Sequence, residues 1–92
     1  MIENFGDVAT ERLWNGETPK RFSGIRKQAL RKLDMLNAAA SLQDLRAVPG
    51  NRLETLVGDR RGQHSIRIND QWRICFVWTA EGPRQVEIVD YH

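Results

Sequence analysis

At Arg52 the hydrophobic pattern of this chain changes period, and that change limits what it can fold into more than any other feature. Before Arg52 apolar residues recur every three or four positions, and after it they alternate. Phe22, Ile25, Ala29, Leu33, Leu36 and Ala40 share one side of a helix predicted from about Ser23, with Arg26, Lys27 and Arg31 on the opposite side. Upstream, Met1-Ile2-Glu3 reads as a short opening strand. Asn4, followed three residues later by Asp7, reads as the N-cap of a helix running to about Gly16, with Phe5, Val8 and Leu13 on its buried side. Ser41 to Val48 is one more short helical piece, and Pro49-Gly50-Asn51 a turn.

Past Arg52 the period of two predicts strands over Leu53–Val57, His64–Asn69, Trp72–Trp78 and Gln85–Val89. The loop Gly58–Gly62, the turn Asp70-Gln71 and the hairpin Glu81-Gly82-Pro83 join them. Trp72, Ile74, Phe76 and Trp78 fall on one face with Ile66 and Ile68, while Arg73, Cys75, Val77, Ser65 and Arg67 fall on the other. The fold class expected is α+β, with N-terminal helices packed on one face of a small, mainly antiparallel sheet and an uncovered arginine-bearing face opposite. A chain of 92 residues has room for one core, so residues 1–92 are expected to form a single domain.

Charge narrows the function classes. The net charge is only +2, yet Lys20, Arg21, Arg26, Lys27, Arg31 and Lys32 form a stretch without an acid, predicted to be a basic helical face. A second set, Arg46, Arg52, Arg60, Arg61, Arg67 and Arg73, is opposed by Glu54, Asp59 and Asp70. Eleven arginines against three lysines suit bidentate binding of phosphate oxygens, although arginine-rich surfaces also serve solubility and protein partners. No run is apolar enough for a membrane span, and acids at Glu3 and Asp7 stand where a signal peptide carries basic residues; a cytoplasmic protein is expected. Cys75 is the only cysteine, the two histidines are far apart in sequence and no spaced carboxylate cluster appears, so neither a metal nor another cofactor is expected.

The candidate chemistry sits at Asp90-Tyr91-His92, directly after the last strand pattern. A carboxylate, a phenol and an imidazole held together can move protons, His92 near neutral pH. A solvated polar tail is the competing reading. If Arg67 and Arg73 look out from the open face that Asp90-Tyr91-His92 reaches, cations and proton-transfer groups meet. RNA cleavage requires such a set: a base for the 2′-hydroxyl, a cation for the phosphorane, an acid for the leaving 5′-oxygen. In that scheme Arg73 holds the phosphate, His92 exchanges a proton, Tyr91 orients the nucleotide and Asp90 positions one of them. His92 stands last, and its own carboxylate would favour the imidazolium. Arg52, Arg60, Arg61 and Arg67 are candidate RNA-phosphate contacts. His64 reads as an edge-of-core residue outside the site.

Pro-Gly-Asn-Arg-Leu at 49–53, Gly58-Asp59-Arg60, Ser65-Ile66-Arg67-Ile68-Asn69, Trp72-Arg73-Ile74 and the final Asp90-Tyr91-His92 together resemble the HigB toxins of the RelE/ParE superfamily, over essentially the whole chain. The resemblance implies a bacterial type II toxin that cleaves messenger RNA in the A site of the 70S ribosome, and it implies a HigA-like helix-turn-helix antitoxin that represses the shared operator DNA. By the same resemblance Arg73, Asp90, Tyr91 and His92 match functional positions, and the basic stretch from Lys20 to Lys32 becomes a ribosomal RNA contact. Characterised ribonuclease members carry a histidine and a lysine where this chain has Glu54 and Val57. Losing two basic groups near a phosphodiester implies a weak enzyme, since one such contact can be worth roughly 2.7 to 4 kcal/mol; Glu54 is a further candidate base. The alternative within the same superfamily is a non-catalytic toxin that acts by binding, to DNA gyrase as ParE-like chains do, or to the ribosome.

Overall fold

The change of period at Arg52 is realised as helices followed by an antiparallel meander, in a computed structural model that describes residues 1–90. The architecture is α+β. Helix α1 spans Val8–Trp14 and is capped by Asp7, whose carboxylate accepts from the Thr10 amide at 3.2 Å. Asn4, expected as the cap, does other work: its side chain accepts from the Gln85 amide at 2.6 Å and its carbonyl from the Val86 amide at 3.2 Å. The later start turns Val8 outward, 67% exposed, while Leu13 is fully buried. The N-terminal residues form no regular strand. Phe5 instead makes a single parallel bridge to Val86, and Glu3 donates to the Pro83 carbonyl at 2.8 Å. Gly82, at φ +128°, accommodates the Met1 carbonyl where a Cβ would stand.

A 3₁₀ turn over Lys20–Phe22 buries Phe22 and precedes helix α2, Arg26–Ala38, which buries Ala29, Leu33 and Leu36. The predicted basic helical face is therefore shorter than expected. Arg26, Lys27, Arg31 and Lys32 lie on α2, but Lys20 and Arg21 belong to the turn. Helix α3, Leu42–Arg46, starts with a reciprocal cap: the Ser41 hydroxyl accepts from the Asp44 amide, and the Asp44 carboxylate from the Ala40 amide. Pro49–Asn51 form another 3₁₀ turn, and Arg52 follows in the left-handed region at φ 44°.

The described strands are β1 (Glu54–Thr55), β2 (His64–Arg67), β3 (Trp72–Thr79) and β4 (Gly82–Asp90), antiparallel in the order β1-β2-β3-β4. The first is shorter than its alternation predicts, and a 3₁₀ turn over Gly58–Arg60 follows it. Cross-strand register assigns the faces. Ile66, Ile74 and Ile88 form one row, and Trp72 opposes Asp90 in another row of the same face. That face packs on the helices through Leu13, Phe22, Leu33, Leu36, Phe76 and Val86. The opposite face carries the rows Arg67–Arg73–Val89 and Glu54–Ser65–Cys75–Glu87. Among the described residues no helix is long and apolar enough to cross a membrane.

The junction between helices and sheet is pinned by Asn51, which is fully buried. Its amide donates to the Leu45 carbonyl at 3.0 Å and contacts the Met35 sulfur, while its oxygen accepts from Lys32 Nζ at 2.6 Å. Asn51→Ala strips these partners from buried groups and should cost about 2 to 3 kcal/mol, read as a lower urea midpoint with an unchanged slope.

Candidate active site at the C-terminal end of the sheet

Asp90 is the last residue of β4 and is exposed; its carboxylate accepts from Gln71 Nε2 at 3.1 Å. Because Asp90 pairs with Trp72 while Arg73 pairs with Val89, Asp90 and Arg73 point to opposite faces of the sheet. This corrects the expectation of a shared open face: alternation separates neighbouring rows even where the strands run side by side. Tyr91 and His92, the other two members of the predicted set, lie outside the described residues.

The outer face is also less open than its alternation suggests. Arg73 is only 7% exposed. Its Nε donates to the Ser65 hydroxyl at 2.8 Å, and its terminal nitrogen to the carbonyls of Arg52 at 2.7 Å and Ser65 at 3.3 Å. The left-handed turn at Arg52 thus folds over the sheet and closes on Arg73. Farther along, Arg60 reaches from the loop after β1 to Glu87 on β4, at 3.0 Å, and also donates to Gln63. Cys75 lies on this face and is fully buried; burial pushes its thiol pKa up, with Arg60, Glu87 and Arg73 as the charges around it.

The other predicted phosphate contacts are dispersed. Arg67 is half-buried and paired with Asp70, whereas Arg52 and Arg61 are exposed. Glu54 and Val57 are exposed beside a groove of about 250 Å³, lined by Glu54, Thr55, Leu56, Val57, Asp59 and Arg60. On α2, Lys32 is held by Asn51, and its pKa is lowered by burial and then by the charges of Arg67 and Arg31. Two placements escaped the sequence reading. Gln71, assigned only to a turn, is the partner of Asp90. Arg21, assigned to a helix, stands over the rings of Phe22 and Trp72, with its central carbon 5.0 and 5.7 Å from their centroids. A basic residue next to an aromatic is too common in sequences to have announced this.

His64 opens the inner strand β2, paired with Thr55 on one side and Phe76 on the other; its Nδ1 is 3.2 Å from the Thr55 hydroxyl and its ring lies beside Phe76. Burial, and then the charge of Arg46, lower its pKa from 6.5.

Comparison with known proteins adds a family. A family model described as the RelE-like toxin of the type II toxin-antitoxin system HigB matches residues 3–92. Toxin HigB-1 of Vibrio cholerae serotype O1 is 40% identical over 80 residues, covering 85% of this chain and 84% of that protein. An uncharacterized protein of Haemophilus influenzae is 37% identical over 76 residues, 80% of this chain and 75% of its own.

Two measurements probe this arrangement. Arg73→Ala leaves the Arg52 carbonyl and the Ser65 hydroxyl without a charged donor and should cost about 3 kcal/mol in chemical denaturation. Since the fold disfavours protonated His64, the unfolded chain binds the proton more tightly. The stability tied to neutral His64 is fully present above pH 6.5 and is lost as pH falls through the lower folded value, so urea midpoints should drop on that side and drop less in His64→Gln.

Proposed function

The chain belongs to the RelE-like HigB toxins of type II toxin-antitoxin systems, and on that premise we propose that it is a ribosome-dependent endoribonuclease that cleaves messenger RNA in the A site. The observation that carries the reading is that the family match runs over residues 3–92 and so takes in Asp90-Tyr91-His92. Membership implies an antitoxin partner. We further propose that this partner is a HigA-like helix-turn-helix protein, that the pair contacts operator DNA through it, and that the toxin works in the cytoplasm as a single domain.

In the proposed reaction the 2′-hydroxyl of the RNA loses its proton to a base and its oxygen attacks the adjacent phosphorus. The P–O5′ bond then breaks, and the departing oxygen takes a proton. His92 exchanges one of these protons, Tyr91 orients the nucleotide and Asp90 positions its neighbours. No metal takes part in this scheme. Glu54 is a candidate base on the β1 edge. Arg73 acts as a positioning residue, since its guanidinium already binds Ser65 and the Arg52 carbonyl and holds the turn in place. The basic residues Lys20, Arg21, Arg26, Lys27, Arg31 and Lys32 face ribosomal RNA, and Arg52, Arg60, Arg61 and Arg67 supply RNA-phosphate contacts, interactions that salt weakens. Glu54 and Val57, acidic and apolar where characterised ribonucleases resembling this chain are basic, support modest activity.

Purified 70S ribosomes programmed with a defined message provide the test. The wild-type protein should cut at the A-site codon, and His92→Ala should slow single-turnover cleavage by about 10²-fold or more, the usual worth of a proton-transfer group. Absence of a cut by the wild type would favour a toxin that acts by binding, and equal cutting by both would remove His92 from the chemistry.

A further inference from the structure

Trp72 lies directly across from Asp90 on the helix-facing side of the sheet, and the central guanidinium carbon of Arg21 stands 5.7 Å from the Trp72 ring centroid. We propose that Arg21 is a phosphate contact of the cleavage site, holding the RNA strand against the Asp90 end of β4; this rests on the ribonuclease reading above.

Local structure puts Arg21 there. Pro19, at φ −55°, leads into the 3₁₀ turn Lys20–Phe22, which drives Phe22 into the core. Phe22 meets Trp72 edge to face, at 5.6 Å and 84°. The residue before such an anchor has little choice of position, and the Arg21 guanidinium settles over both rings. A cation–π contact of this kind holds the guanidinium in place without using up its N–H donors, which remain for acceptors such as phosphate oxygens. The side chain is exposed, and among the described residues no carboxylate pairs with it. Its neighbours in charge differ. Arg60 is engaged by Glu87, Arg67 by Asp70 and Arg73 by Ser65 and the Arg52 carbonyl. A phosphate approaching the exposed Asp90 carboxylate also needs a cation close by to offset the repulsion, and Arg21 supplies one over the tryptophan paired with Asp90.

Binding of a single-stranded RNA oligomer blocked with 2′-methoxy groups, titrated with salt, tests Arg21 apart from cleavage. Against the wild type, Arg21→Gln should flatten the log–log salt dependence by about 0.7, the share of one phosphate contact on a single strand. Arg21→Lys should keep the slope. Arg84→Gln, an equal charge loss near the far end of β4, should leave it unchanged. On programmed ribosomes Arg21→Gln should cut about tenfold or more slowly, with Arg21→Lys between it and the wild type and thermal midpoints preserved. A slope and cleavage rate for Arg21→Gln equal to those of the wild type overturn the proposal. So does an equal slope loss in Arg84→Gln, or an effect confined to binding of the antitoxin. A wild type that binds the blocked RNA through Arg21 but cuts nothing on the ribosome overturns the ribonuclease reading and leaves the contact standing.

Discussion

A buried guanidinium organises the outer half of this protein. Arg73 projects from the central strand β3 on the side away from the helices, where water would otherwise solvate it, and it is buried because β2 and the turn at Arg52 supply acceptors. A buried cation without such partners would cost several kcal/mol. The requirement works in both directions: Ser65 must face Arg73, and the chain after Pro49–Asn51 must present the Arg52 carbonyl. The left-handed conformation of Arg52, uncommon for a residue with a Cβ, follows the need to deliver that carbonyl. Where β1 begins, and hence where Glu54 and Val57 stand, depends on this closure.

The two faces consequently hold themselves together by different means. The helix side is an aliphatic and aromatic core around Ile74, Phe76 and Leu33, whose strength scales with apolar area removed from water. The outer side is a short polar layer in which Arg73 and the Arg60–Glu87 pair cover Ser65 and Cys75. β4 serves both faces. Its C-terminal end lies where the helix-side turn Lys20–Phe22 brings Arg21 over Trp72, opposite Asp90. At that edge core and polar layer meet, and the side chains of Arg21 and Asp90 are exposed.

Much of this was legible from residue order. Ile66, Ile68, Ile74 and Ile88 are buried as their alternation predicts, and Ala29, Leu33 and Leu36 as helical spacing predicts. The misreadings share one cause. Asn4 and Asp7 are both good caps, and the choice between them was made by β4, which recruits Asn4 for its own amides. Arg73 alternates outward as expected, yet alternation specifies a direction and says nothing of what will lie above it.

Sequence alone determined the helices-then-sheet order, the apolar face of each element and the residue types available for acid–base chemistry, because these follow from periodicity and side-chain identity. Tertiary structure alone decided that Arg73 is enclosed, that Asp90 shares the face of Trp72 and that Arg21 leaves the basic helix to stand over that tryptophan. Each of those outcomes depends on contacts between residues far apart in the chain, settled by register and burial, and no local pattern encodes which distant partner will arrive.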